Sequence, residues 1–537
     1  MKGQSVARGF AVLSAAGIII KILSILYIPF LLAIIKDEGN GIYAAAYQVY
    51  VFIYVLTNSG IPVAISKLVS ELIAVGNHKD AVKSFKIARF MLLIIGFTMS
   101  ILMLVLASPL SKILRFDRSY LAILALAPSM LFTSVASSYR GYFQGRGNMT
   151  PTAVSQILEQ AVNAIFTVVF AAALIKYGLE AACAGGTIGT SLGALLSALF
   201  LIVFHQKHDR YALPESAGNV RVKRYTYGQL VKKIINYSVP ITFCVGMQYA
   251  GNLVDLWNTK SRLLVAGLTD KRATELYSHL SKYQQLLNVP IAITVALATA
   301  ILPAISRAVA LNDRKQVRNK ISFAYKLCFL VTVPSAIGFT VLSTPIFDLL
   351  KYDQGAYLMK YGSAVLVLLA VVQIQTSILQ GAGRLYTVTP NLVLGIIGKI
   401  AANFFLISIP QINIMGAIIG SIIGYCIPIA LNVLVMKRDL KVRLHMKALI
   451  IKPLLASGFM GVAVFITYKI LSMLMFFIPS AYAVNAVACI VSVFIGLIVY
   501  FVFLVLMKGI SRTDLDVIPQ KLLRFIPKAM LDRIKWS

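Results

Sequence analysis

The stretch RGYFQGRGNMTPTAVSQILEQAVN, Arg140 to Asn163, sets two arginines, three glycines and a proline ahead of a Glu-Gln pair inside an apolar run. Glu159 lies more than two helical turns beyond Pro151, deep enough for its charge to be expensive unless it faces a bundle interior or a watery cavity. Asn163, one turn further, shares that helical face. An acid and an amide so placed suit a gate or a coupling site within a membrane. Arg140 and Arg146 flank the glycine turn and read as cytoplasmic-face residues. Covalent chemistry has little to work with. Five cysteines (Cys183, Cys244, Cys328, Cys426 and Cys489) fall singly in apolar runs and read as small packing residues, not as a metal set or a disulfide framework. No HExxH, Walker loop or dinucleotide fingerprint occurs, so ATP hydrolysis is excluded and an enzyme is not expected.

What positions these residues must be membrane helices. Of 537 residues, 59% are hydrophobic and 13% charged, too apolar for soluble domains that cover their cores with polar surface. Runs of roughly 20 apolar residues cross a bilayer as helices, because a helix satisfies its own backbone without water. The expected spans lie near 9–35, 42–75, 88–108, 119–144, 150–176, 180–204, 232–256, 278–309, 321–345, 360–382, 388–409, 414–436, 447–475 and 482–507. The fold class is therefore all-α, a polytopic membrane protein of about fourteen transmembrane helices. The first span is too long for a signal-peptide core and is expected to remain in the mature protein.

A net charge of +32 invites a nucleic-acid reading, which its distribution removes. Lys and Arg gather at the N-terminus, in the even-numbered connections and in the tail, the positive-inside pattern, which places both termini in the cytoplasm. Clusters such as HKDAVKSFKIAR (78–89) and NDRKQVRNK (312–320) meet anionic lipid headgroups, and nucleic acid is not a partner. The tail, with Leu522, Phe525 and Ile526 among Lys521, Arg524 and Lys528, reads as an amphipathic helix on the inner leaflet.

Internal repeats decide the architecture. AISKLV from Ala64 recurs as AISRAV from Ala304, and EQAVN from Glu159 matches KIAAN from Lys399, both at a shift of 240. QGRGNMTP at Gln144 has its counterpart in QGAGRLYTVTP at Gln380. Two pseudo-symmetric six-helix lobes follow, 1–206 and 232–438, joined by a basic linker at 207–231. Two extra helices occupy 439–508 and the tail 509–537. Carriers built of such halves hold substrate between them. The shift puts Glu159 and Asn163 at positions corresponding to Lys399 and Asn403, which leaves two readings open: an ion pair from Glu159 to Lys399 across the cleft in one access state, or a partner for each residue within its own lobe.

RGYFQGRGNMTPTAVSQILEQ, GIPVAISKLVSE and VPIAITVALATAILPAIS resemble the multidrug/oligosaccharidyl-lipid/polysaccharide exporter superfamily, in its branch of MurJ-type lipid II flippases and SpoVB-like polysaccharide biosynthesis proteins. The resemblance implies a monomeric two-lobe carrier that moves an undecaprenyl-pyrophosphate-linked saccharide across the cytoplasmic membrane by alternating access. It implies no cofactor, with Na⁺, H⁺ or the membrane potential as energy source. Gram-negative flippases of the branch look rich in arginine along the first, second and eighth spans. The matching stretches here keep one cation, Lys21, beside Tyr27, Tyr54, Gln285 and Asn288. A diphosphate in a low-dielectric cavity needs cations, so Lys21, followed by Lys282 and Lys399, is the expected contact. Asp255, near the outer end of the seventh span, is an expected gate residue. The alternatives are export of another polysaccharide or spore-cortex precursor, and cation-coupled multidrug antiport.

Overall fold

The computed structural model describes residues 6–208, 224–311, 313–442, 446–475, 478–507 and 509; the expected amphipathic tail lies outside these. Among the described residues the chain is helical and contains no strand. The first half runs through α1 (Val6–Leu26), α2 (Ile28–Asn58), α3 (Ile61–Ala74), α4 (His78–Ile113), α5 (Tyr120–Gly145), α6 (Thr150–Leu174) and α7 (Leu179–His208). Next come α8 (Tyr227–Val265), α9 (Asp270–Ala310), α10 (Arg314–Val341), α11 (Ser343–Leu349), α12 (Ala356–Gly362) and α13 (Ala364–Gly381). The chain continues with α14 (Leu385–Leu406), α15 (Met415–Asp439), α16 (Met446–Leu474) and α17 (Ala481–Leu506).

Each expected span falls on helix, but the boundaries carry physical detail. Eleven helical stretches among the described residues are long and apolar enough to cross a membrane. α1 adds a shorter apolar piece, Ala15–Leu26, whereas α8 and α9 are not in that set and carry Asp255, Lys260, His279 and Lys282 along their lengths. The first expected span bends at Tyr27, with Pro29 in the opening turn of α2, and ends at Lys36, whose φ of 54° and ψ of −169° redirect the chain. The second breaks at Ser59–Gly60, and Pro62 restarts it as α3. Gly60 is required there because a Cβ would collide with the Ser238 carbonyl of α8.

The repeated motifs build matching turns. After α5, Gly147 adopts φ +72° and its N–H bonds to Gln144 O at 2.9 Å; after α13, Gly383 adopts φ +74° and bonds to Gln380 O at 3.0 Å. The helix ends before these turns lie close to the AIS helices. A Cβ on Gly145 would come 2.7 Å from Ser66 O, and one on Gly381 would come 2.6 Å from Leu302 O. Leu302 corresponds to Pro62, whose carbonyl Gly141 meets at 2.6 Å, so the second contact is one turn out of step with the first.

Two compact units result. One comprises residues up to Ser281 with Asn403–Ile414; the other comprises Lys282–Ala402 and the chain from Met415 onward. In the first, Ile65 and Leu68 of α3, Phe85 of α4, Tyr139 and Phe143 of α5, Leu201 of α7 and Ile234 of α8 form a buried core. In the second, α16 and α17 pack on α10 through Met460, Val464, Tyr500 and Leu504, and Tyr500 donates to Leu330 O at 2.9 Å.

Candidate functional site

Buried side chains of α2 line a polar seam in the first unit. Tyr43, Tyr47, Tyr50 and Tyr54 recur at three- and four-residue steps and so share a face. Successive rings stand 4.7, 5.8 and 6.0 Å apart. Tyr27 meets Tyr43 hydroxyl to hydroxyl at 3.3 Å, and Tyr47 reaches Thr190 of α7. Asn163 Oδ1 accepts from Thr190 at 3.1 Å and from Thr167 at 3.0 Å, which explains its burial in an apolar helix. One turn beyond Tyr54, Asn58 is buried with neither amide atom hydrogen-bonded among the described residues.

Glu159 is not the isolated acid its apolar neighbours suggest. Arg140 Nη2 donates to Glu159 Oε2 at 2.5 Å and to Ser197 Oγ at 2.7 Å, while Arg140 Nε donates to Ser155 Oγ at 3.0 Å. The Arg140 side chain is 10% exposed, packed among the helices of its own unit. Three helices, α5, α6 and α7, thus meet on one guanidinium. Close approach of α6 and α7 depends on Gly189 and Gly193, where a Cβ would strike Thr167 and the Glu159 carbonyl respectively. These glycines spell GTSLG, a nucleophile-elbow pattern, but Ser191 sits mid-helix and donates to Ala125 O at 2.8 Å.

The second unit answers with neutral groups. Asn391 of α14 donates to Asn432 of α15 at 2.9 Å, Asn432 to Gln375 of α13 at 3.3 Å, and Gln375 to Ile429 O at 3.4 Å. Lys399 is half-buried and lies over Gly424, whose Cβ would meet the lysine Cβ at 2.7 Å. Lys282 is fully buried, donates to Gln354 O at 3.2 Å and lies 5.4 Å from the Tyr352 ring. Burial pushes the Tyr352 hydroxyl's pKa up, so that ring stays neutral beside the lysine.

The remaining sequence candidates separate. Lys21, half-buried on α1, has no hydrogen-bond or ion-pair partner among the described residues. Asp255 accepts from Asn403 Nδ2, so the amide of KIAAN, like that of EQAVN, serves a buried polar contact. Gln285 is half-buried with Oε1 unsatisfied, and Asn288 is exposed. Arg146 donates to Tyr142 Oη at 3.2 Å at the turn.

The family described as Polysaccharide biosynthesis protein matches residues 6–309, more than half of the chain. The chain belongs to that family. Stage V sporulation protein B of Bacillus subtilis (strain 168) is 28% identical over 474 residues, covering 86% of this chain and 90% of that protein. Lipid II flippase MurJ of the same organism is 24% identical over 487 residues, covering 86% and 88%. In three dimensions the chain is similar to a solved lipid II flippase MurJ in an inward closed conformation, with a TM-score of 0.66, 15% identity, and coverage of 92% of this chain and 98% of that one. An inward-facing multidrug resistance MATE family transporter gives 0.63 at 15% identity, covering 82% and 96%. The fold of this polysaccharide biosynthesis family member is thus one shared with membrane transporters, and the chain is a multi-pass membrane protein.

Sequence reasoning left out one further polar group of this family member. Arg118 donates to Glu38 of α2 and, at 2.9 Å, to Glu180 of α7. Asp37 meets His279 at 3.0 Å, and Lys260 meets Asp270 at 2.8 Å with its ammonium 4.1 Å from the Phe116 ring. The tyrosine stripe was visible in YAAAYQVYVFIY as a helical period of hydroxyls; the Arg118 and His279 contacts join residues far apart in sequence and had no local signal.

Proposed function

We propose that the protein is a flippase that moves an undecaprenyl-pyrophosphate-linked saccharide across a bacterial cytoplasmic membrane by alternating access, with lipid II as its most direct substrate. The observation that carries this reading is the charge balance inside the first unit. The Glu159 charge is offset by Arg140, while Lys21 is half-buried without a partner among the described residues. Such an interior attracts an anion; a carrier of cationic drugs needs the reverse. Similarity along most of the chain to a lipid II flippase supports the same substrate class. Similarity to a sporulation protein favours a second reading, in which the cargo is a spore-cortex or other polysaccharide precursor on the same lipid diphosphate. The protein acts as a monomer without a cofactor, with both termini cytoplasmic, and is driven by Na⁺, H⁺ or the membrane potential.

The test is to deplete the protein, extract lipid-linked precursors and identify by mass spectrometry the one that accumulates. Accumulated lipid II supports the first reading, and a different lipid-linked saccharide supports the second. Unchanged precursors with altered dye accumulation would overturn both in favour of drug export.

A further inference from the structure

The Arg140 cluster has more charge than helix packing requires. In the second unit the corresponding helices α13, α14 and α15 are held together by Gln375, Asn391 and Asn432, neutral amides bonded to one another. Burying an ion pair carries a desolvation cost that such an amide set avoids. The first unit nevertheless retains a guanidinium that is 10% exposed and a carboxylate that is 26% exposed.

The hydrogen bonds of that guanidinium are unevenly used. Nε is taken by Ser155, and Nη2 by both Ser197 and Glu159. Nη1 has two N–H donors and no partner among the described residues. The Nη1–Nη2 edge is one fork of the guanidinium, shaped to take two oxygens of a phosphate or carboxylate side by side. Glu159 and Ser197 share its Nη2 half, and its Nη1 half has no partner among the described residues. The same unit carries the α2 stripe of Tyr43, Tyr47, Tyr50 and Tyr54, and Asn58, one turn on, has both amide atoms unpaired among the described residues.

We propose that Arg140 is a phosphate contact for the diphosphate cargo and that Glu159 is its built-in competitor, occupying the fork when cargo is absent. This rests on the diphosphate reading of the function above. On arrival, two phosphate oxygens take Nη1 and Nη2 while Ser155 and Ser197 keep the guanidinium plane fixed. Glu159 gives up Nη2 and swings off the fork. On departure the carboxylate returns, so Arg140 is never left as a bare buried charge, and the cargo leaves from a site that has a substitute anion at hand. Lys21 has no ion-pair partner among the described residues and so has no such release device there.

The experiment measures binding of undecaprenyl pyrophosphate to the full-length purified protein by native mass spectrometry, with undecaprenyl monophosphate and inorganic pyrophosphate as comparison probes. Glu159→Gln preserves side-chain shape and removes the competing charge. It should bind undecaprenyl pyrophosphate about tenfold more tightly than wild type, yet turn over more slowly in cells because release is impaired. The paired change Arg140→Gln with Glu159→Gln leaves no uncompensated charge and so keeps the fold; it should lose that gain and bind at least about tenfold more weakly than Glu159→Gln alone. If Glu159→Gln binds no more tightly than wild type, or if the double variant binds as well as Glu159→Gln, the pair is structural and the proposal fails while the flippase reading stands. If wild type binds none of the three probes, the diphosphate reading itself fails and takes this assignment with it.

Discussion

A lysine half-buried in an apolar helix, with no hydrogen-bond or ion-pair partner among the described residues, gives up hydration without a compensating contact. Lys21 should therefore be tolerated for function and not for stability. Lys21→Ala is expected to leave thermal stability unchanged or raised, and to abolish complementation of a depleted strain; Lys21→Arg keeps the charge with different donor geometry and should retain part of it. Full complementation by the alanine variant at normal protein level would remove Lys21 from the transport path. At this scale the sequence disclosed the unusual residues but not their partners. Glu159 and Asn163 stood out because a charge and an amide interrupt an apolar run. That Glu159 is held by Arg140, and Arg140 by Ser197 at a separation of 57 residues, depends on how α5, α6 and α7 pack. Of the two readings the repeat left open for Glu159, the within-lobe one has a partner on view, Arg140 of its own unit.

Element by element, the repeated motifs mark places where backbones touch. Gly145 at the end of α5 faces the Ser66 carbonyl of α3, with 2.7 Å left for a Cβ. Gly145→Val should push the two helices apart and cost about 1–3 kcal/mol, as overpacking does. The readout is a lowered unfolding temperature in detergent. Gly17→Ala is the control, since nothing lies within 4 Å of its Cβ position and replacing a helical glycine should gain about 0.5–1 kcal/mol. Equal losses from both would mean that glycine flexibility, not helix contact, underlies the Gly145 effect. QGxG and AIS were legible as repeats because both turns need a left-handed glycine and both helix pairs need close approach. The bend at Lys36 was not: a lysine at φ 54° has no sequence signature, and the apolar run before it simply reads as a span ending there. The break at Ser59–Gly60 was announced by Gly60 and Pro62, but the length of the run hid it within one expected span.

For the whole molecule, charge distribution predicts orientation and close contacts predict what must move. Reporter fusions at Asn77, Asn219, Asp313 and Asp439 should report cytoplasm, and those at Asn40, Thr269 and Asp353 the outside; two or more inversions would overturn the expected topology. Within the first unit, α2 and the start of α9 touch at the expected outer end. Asn40 Nδ2 donates to Ser278 Oγ at 2.8 Å, His279 meets Asp37 at 3.0 Å, and Gly41 leaves no room for a Cβ against the Thr274 carbonyl. All of these groups are buried or half-buried, so the two helices are tightly joined there. A flippase that delivers cargo outward by alternating access has to part such a seam once per cycle. Cysteines at Asn40 and Ser278, in a background with the exposed Cys426 replaced, can be bridged by a short, reducible bifunctional thiol reagent. Transport by the bridged protein should fall to background and return on reduction, while binding of undecaprenyl pyrophosphate from the cytoplasmic side persists throughout. Loss of both binding and transport would point to a distorted fold. Full-rate transport with the bridge intact would mean that the seam is a permanent joint, and that cargo leaves by a route in which α2 and the start of α9 travel together.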